Sequence, residues 1–401
     1  MGNVVITGGN LKNKGAQAMT FITVDEIRRR FPKETIYLAC GKGTEKDNPA
    51  AEPYRFEIID AAICDLKGLA CVNPFMRLLL KMRYGSKVYS EAYRKLWQET
   101  DILIDISGYS IGTDWGIRTS LLTALRGKIA ARFGAKVYYM PQSFGPCDFG
   151  GFKGKCAEIL LKKWLSCADV LFAREKQGYD LLTKKYGLKN VRLSCDLVLQ
   201  NKKIDLLNVY EKMPDLLSFK VKPRSMAVIP NAKTLRFGRE DKMISLYRAI
   251  INRMLEREYF VYLIFHSSED QKICIRLKEF FAGEERVILI QDELSCVEYG
   301  QLVKQFDFVI ASRYHSIIHA YKEGIPCIVL GWAVKYKELL SLFGQEKFVF
   351  DVRGDIDERN FLTMIAEMEK NCKAYAAQVR EKLQEIQKEN VFDVVENIYE
   401  N

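Results

Sequence analysis

The sequence predicts an α/β protein of two doubly wound domains that face each other across a cleft, followed by a long helix. Three observations predict it. Short apolar runs alternate with amphipathic helical stretches along most of the chain, the pattern of parallel sheets covered on both faces. The alternation breaks once, at residues 200–225, where Lys202, Lys203, Lys212, Pro214, Lys220, Lys222, Pro223 and Arg224 fall without strand periodicity. Near the end, Phe361, Ile365, Met368, Cys372, Tyr375, Val379, Leu383 and Ile386 recur at steps of three and four, which is helical spacing. The division that follows is 1–205 for an N-terminal domain, 225–360 for a C-terminal domain and 361–401 for the terminal helix.

In the first domain residues 4–7, 35–39, 102–106 and 136–140 read as buried strands. In the second, residues 227–230, 260–265, 286–290, 308–311 and 327–330 read the same way. Each is a brief apolar run between polar or turn-forming residues, and helical patterns fill the intervals. Ligands of such sheets bind outside the carboxyl ends of the strands. The terminal stripe fits a helix packed on the body of the protein, with a partner helix in a dimer as the other use.

Bulk composition narrows the function. The chain has 401 residues, 48% hydrophobic and 28% charged, an ordinary globular balance that implies neither disorder nor membrane burial. The net charge of +10 is spread rather than blocked. It suits anionic small molecules, phosphorylated substrates or an anionic membrane surface. No basic-aromatic module stands out, so nucleic acid is not an expected partner. The 11 cysteines are odd in number and form no C-x-x-C pair. Free buried thiols in a reducing compartment are expected, and no zinc or other metal site. The opening Met1-Gly2-Asn3-Val4-Val5-Ile6 lacks the layout of a signal peptide, and no run approaches 18 apolar residues. A cytoplasmic protein is expected. One segment qualifies this. From Arg77 to Lys95 there are six Lys/Arg and one acid, Glu91, among apolar bulk. Such a segment suits peripheral contact with an anionic membrane face, and equally a core helix with a solvated basic side.

The chemistry concentrates at Ala311-Ser312-Arg313-Tyr314-His315-Ser316, followed by His319 and Gly324-Ile325-Pro326. An apolar run ends, polar residues follow, and a helix begins. Arg313 and His315 therefore fall at a strand-to-helix turn, where exposed N–H groups favour an anion. Arginine adds a planar fork for phosphate or carboxylate, and histidine trades protons near neutral pH. The alternative is structural: His315 caps a helix and Arg313 makes an ion pair. His319, one turn on, reads as a supporting or core residue.

In the first domain Asp105-Ile106-Ser107-Gly108-Tyr109 through Gly112-Thr113-Asp114 follows a buried strand. Glycines let a ligand approach the backbone, and Asp105, Asp114 and Gln142 are candidates for binding it. Turn chemistry alone would also account for them. His266 ends the run 260–265 and points to the same cleft.

These motifs together resemble the polysaccharide pyruvyl transferase family. Ser312-Arg313-Tyr314-His315 with Gly324-Ile325-Pro326 resembles its C-terminal motif, and Gly331-Trp332-Ala333-Val334-Lys335-Tyr336-Lys337-Glu338-Leu339 its following stretch. Pro141-Gln142-Ser143-Phe144-Gly145-Pro146, Arg174-Glu175 and Cys195-Asp196 are similar to its upstream elements. Gly8-Gly9-Asn10 through Asn13-Lys14-Gly15-Ala16-Gln17 resembles its glycine-rich first turn, with Ala16-Gln17 where an acid is usual. The resemblance implies a GT-B-like pair of Rossmann-like domains and surface polysaccharide synthesis, as of exopolysaccharide or capsule. It implies phosphoenolpyruvate as co-substrate without a further cofactor, a ketal product, and a sugar or lipid-linked glycan as acceptor. By this analogy His315 is the general acid, and Arg313 holds the donor's phosphate or carboxylate. Ser312, Ser316, Asn231 and Arg174 join the donor side, with either Lys233 or Arg236 as second cation. Asn13, Asp105, Asp114, Gln142 and His266 form the acceptor side. Arg174 has a structural alternative too, an ion pair with Glu175 or another acid.

Two other functions fit the fold. A nucleotide-sugar glycosyltransferase would carry a Glu-x7-Glu signature, but residue 331, eight after Glu323, is glycine. A non-catalytic scaffold would not need Arg313 and His315 intact.

Overall fold

The computed structural model describes residues 2–41, 52–61, 91–332 and 334–398. Two parallel sheets carry the fold. The first contains β1 (Asn3–Thr7), β2 (Thr35–Cys40), β3 (Glu57–Asp60), β4 (Thr100–Asp105), β5 (Tyr109–Ile111), β6 (Lys136–Phe144), β7 (Val170–Ala173) and β8 (Val191–Leu193). Its order is β3-β2-β1-β4-β6-β7-β8, with β5 paired to the end of β6. The second contains β9 (Ser225–Ile229), β10 (Phe260–Leu263), β11 (Val287–Leu289), β12 (Phe308–Ala311), β13 (Cys327–Gly331) and β14 (Val349–Asp351), in the order β11-β10-β9-β12-β13-β14. In each sheet the first strand, β1 or β9, sits where the winding reverses. Crevices open at such switch points.

The central strands are apolar throughout because both faces are covered. Val4, Val5 and Ile6 are fully buried, as are Phe308, Val309, Ile310 and Ala311. Five strands fall outside the expected set. β3, β8 and β14 are sheet edges with partly exposed residues, so no continuous apolar run marks them. β5 and β7 are very short.

The halves meet along the helix Lys14–Arg30, which follows β1. It packs on Cys296–Val303 and Tyr314–Lys322 of the second half, and Gln17 Oε1 accepts the Cys296 N–H at 2.6 Å. The long helix runs Glu358–Ile386, started by Asp357, whose side chain accepts the Arg359 and Asn360 N–H groups. Its buried face holds Phe361, Ile365, Met368, Val379 and Leu383, the stripe the periodicity marks. It ends at Ile386 rather than continuing to 401. Asn390 Oδ1 accepts the Phe392 N–H at 3.0 Å, and a 3-10 stretch Val391–Ile398 turns back. Burying Phe392 and Val395 there outweighs another turn of solvated helix. This tail bonds to the first half: Val391 N–H to Gln200 Oε1 at 3.2 Å, and Arg30 to Asp393 at 3.1 Å.

The basic segment at 77–95 lies outside the described residues up to 90, and its end starts the helix Glu91–Gln98. Among the described residues no helix is long and apolar enough to cross a membrane. The described cysteines are all free.

Candidate active site

β12 ends at Ala311 and a helix begins at Tyr314, so the expected strand-to-helix turn is present. Hydrogen bonds lock it. The Ser312 N–H donates to Ile229 O at 3.0 Å. Ser312 O accepts from Asn231 Nδ2 at 3.3 Å and Tyr336 Oη at 3.2 Å, and Ser312 Oγ lies 2.9 Å from Tyr247 Oη. Ser316 Oγ donates to Arg313 O at 2.6 Å.

The turn faces the first half. The His315 ring rests on Gly15, where an added Cβ would come 2.2 Å from Cγ. Its side chain is 19% exposed, with Nε2 3.7 Å from Asp196 Oδ2. Asp196 is buried, caps the helix Leu197–Gln200, and takes Arg174 Nη1 at 2.8 Å. Arg174 also donates to Glu175 at 3.0 Å and to Ser143 Oγ at 2.7 Å. Its guanidinium lies 4.3 Å from the Tyr314 ring centroid.

A second cation completes the group. Lys335 Nζ lies 5.2 Å from the ring centre of Tyr314, 5.8 Å from Tyr336 and 5.6 Å from Tyr109. Tyr109 belongs to the first sheet, so this lysine spans the seam. Among the described residues no carboxylate lies within ion-pair distance of it, and Glu175 and Asp114 act on it from further off. Burial, reinforced by Arg174, pushes its ammonium down to about 8. Burial likewise pushes His315 down to about 4; Asp196 pulls it back in part, while Arg174, Lys335 and Arg313 oppose the added charge. The imidazole is therefore neutral near pH 7 and sits among cations. Such a place favours an anion, and an anion would raise the histidine again.

Behind His315 lies a buried group. Lys14 Nζ donates to His266 O at 3.3 Å and sits 5.3 Å from the Phe265 ring, and burial lowers it to about 8. His266, Tyr299 and His319 lie mutually 5.2–5.9 Å apart between ring centres. Burial lowers His319 to about 3 and His266 well below its ordinary value. All three histidines of the chain thus gather by the start of the helix Lys14–Arg30.

A model of the family described as polysaccharide pyruvyl transferase matches residues 13–333. The chain belongs to that family. AmsJ, an amylovoran biosynthesis protein of Erwinia amylovora, is 24% identical over 115 residues, 27% of this chain. The match spans 28% of that relative's length. UDP-GlcNAc 2-epimerase from Methanocaldococcus jannaschii superposes with a TM-score of 0.56 at 11% identity, covering 91% of this chain and 92% of that one. Anabaena HepE in complex with UDP and glucose gives 0.51 at 10% identity, covering 99% and 98%. Likeness at such identities concerns the fold alone, and the fold is the GT-B-like one expected.

Within this pyruvyl transferase family member the expected site residues separate into two groups. His315 stands at the seam. Asp114, Lys233 and Arg236 are exposed, Asp114 accepting Tyr109 Oη at 3.0 Å. The rest have hydrogen-bonded partners, except His266, whose buried ring nitrogens have none among the described residues. Arg313 forks onto Asp270, with Nη2 to Oδ1 at 2.9 Å, and also reaches Glu269. Its side chain is 13% exposed. In place of a free anion fork the structure has the ion pair that the sequence leaves as the alternative, because buried Asp270 requires a cation. Arg174, expected as a cleft cation, is a buried brace for the same reason. Asp105 accepts from Thr7 Oγ1 at 2.8 Å, Gln142 Nε2 at 3.2 Å and the Ser107 N–H at 3.1 Å. It ties the ends of β1, β4 and β6 together. Gln142 and His266 are also buried. Asn13 and Asn231 cap helices, accepting from Gly15 N–H at 3.0 Å and Lys233 N–H at 2.9 Å. Ser312 and Ser316 are the locks of the turn.

Lys335, Tyr314, Gly15, Lys14 and Asp196 enter the site without having been assigned to it. Their signal lay in the family-like stretches that contain them, and Tyr314 and Lys14 stand next to residues that were. A cavity of ≈ 380 Å³ lies elsewhere, lined by Glu26, Arg29, Gln200, Lys203, Lys388 and Phe392 among others. It contains none of the site residues.

Proposed function

We propose that the protein transfers the pyruvyl group of phosphoenolpyruvate to two hydroxyls of one sugar as a ketal, releasing phosphate, in the synthesis of a surface polysaccharide. One observation carries the reading: His315, neutral and mostly buried, stands at the seam beside a lysine with no ion-pair partner among the described residues. Family membership supports the reaction class. Lys335 attracts the donor anion, whose charge raises His315 so that it takes up a proton. His315 then protonates the donor's methylene carbon, leaving its central carbon electrophilic. One sugar hydroxyl bonds there. The bond to the phosphate oxygen breaks as the second hydroxyl bonds. Of the two hydroxyl protons, one replaces that given to carbon and the other leaves with phosphate. The sequence is redox-neutral and calls for no cofactor. We place the reaction in the cytoplasm on a lipid-linked acceptor, with the basic segment 77–95 at the membrane face.

The test is phosphate release from phosphoenolpyruvate across a panel of lipid-linked sugars, with UDP release from UDP-sugars measured in parallel. Phosphate and a ketal product are expected. UDP release without phosphate release would overturn the reading in favour of glycosyl transfer.

A further inference from the structure

A row of aromatic rings crosses the seam between the sheets. Phe237 stacks on Trp332 with centroids 5.4 Å apart, Trp332 meets Tyr336 at 5.3 Å, and Tyr336 meets Tyr314 at 6.1 Å. Lys335 joins Tyr314 to Tyr109, and Tyr109 meets Trp115 edge-on at 6.1 Å and 75°. The middle of the row is buried beside His315, whose ring lies 5.7 Å from that of Tyr314. Both ends are open: Phe237 is 43% exposed and Trp115 48%.

The ends differ in what they offer. Phe237 and Trp332 lie nearly parallel, at 24°, so each covers a face of the other. Trp115 closes a three-residue turn, Thr113–Trp115, and is followed by Gly116 at φ +75°. Its one ring contact among the described residues is the edge-on one. Beside it the exposed Asp114 carboxylate is held in place by Tyr109 Oη at 3.0 Å. The open indole thus stands beside a positioned carboxylate, at the end of a row that leads to His315.

The geometry points to Trp115, with Asp114 and Tyr109, as a subsite for one pyranose ring of the acceptor. A pyranose has a face of C–H groups and a rim of hydroxyls. The face matches an indole and the rim matches a carboxylate. Aromatic surface with a few placed polar groups is the usual make-up of a small-ligand site. Tyr109 is shared between Trp115 and Lys335, so a sugar on Trp115 lies one ring away from the cation assigned to the donor. The inference deepens the pyruvyl-transfer reading and rests on it for the position of the donor. Sugar binding itself does not depend on the donor.

Saturation-transfer NMR on the full chain, without donor, tests it. The probes are methyl pyranosides of glucose, galactose, mannose and N-acetylmannosamine. Saturation is expected to reach the C–H protons of at least one. Trp115→Ala weakens that binding about tenfold, the factor that about 1.4 kcal/mol represents. Trp115→Phe keeps most of it, and Phe152→Ala, which removes a ring 82% exposed on another helix, leaves it unchanged. Phosphate release from phosphoenolpyruvate is then measured with the best-bound pyranoside. Trp115-dependent binding without phosphate release, from this pyranoside or from the lipid-linked panel, supports the subsite while overturning the donor reading. Equal binding by the native and Trp115→Ala proteins overturns the subsite, as does failure of every pyranoside to receive saturation.

Discussion

Before its anion arrives the site holds His315 neutral and Lys335 mostly charged. Burial keeps the imidazole near 4 and the ammonium near 8. His315→Ala is expected to cut turnover by about 10²–10⁴, the usual worth of a general acid, with circular dichroism and donor affinity near native. The pH dependence has a defined sign. In the free protein His315 is protonated only at acid pH, whereas in the donor complex its value rises. kcat should therefore hold to a higher pH than kcat/KM, which pH–rate profiles would show. Lys335 carries an opposite pair of effects. Burial pushes its ammonium from the ordinary 10.5 down to about 8, a cost on the order of 3 kcal/mol. Lys335→Met should raise Tm while raising KM for phosphoenolpyruvate at least about tenfold. A variant with lower Tm and unchanged KM would remove the lysine from the donor site.

At the scale of elements, the site depends on how the helix Tyr314–Lys322 is anchored at both ends and on what its first turn touches. Its start is fixed by Ser312 and Ser316. Its end is a left-handed turn at Gly324, φ +75°, where the Gly324 N–H bonds Tyr321 O and the Ile325 N–H bonds Ala320 O. That pairing is the Schellman arrangement, and it requires glycine at that position. The reason for the glycine in Gly324-Ile325-Pro326 was thus legible in the sequence. The reason for Gly15 was not, because the ring it accommodates lies 300 residues away in the chain. Gly15→Ala should displace His315 and lower kcat by more than about tenfold, since misplacement of about 1 Å costs on the order of a hundredfold. Circular dichroism and Tm serve as controls. Near-native kcat would mean that the ring has room to shift without loss.

The whole molecule closes around neutral histidines, and its acid stability should record this. The three imidazoles have folded values below the unfolded 6.5. Between the two values the unfolded chain binds more protons than the folded one, so stability falls as pH drops through that window. The contribution is fully present above about pH 6.5. It should fade below that at up to about 4 kcal/mol per pH unit if all three act together. Urea unfolding from pH 7 to pH 5 measures the slope, and a flat profile would contradict the burial of the histidines.

The two parallel sheets, the central strands, the long helix with its apolar stripe, and the strand-to-helix turn carrying Arg313 and His315 were legible along the chain. All of these rest on local periodicity or on residues adjacent in the chain. The use of each charged side chain was settled by the fold. Asp270 claims Arg313, and Asp196 and Glu175 claim Arg174, whereas Lys335 packs among aromatic rings with no ion-pair partner among the described residues. Whether a cation is free or neutralised depends on which carboxylate the fold brings within a few ångströms, and that proximity is not written in the spacing of residues along one strand or helix.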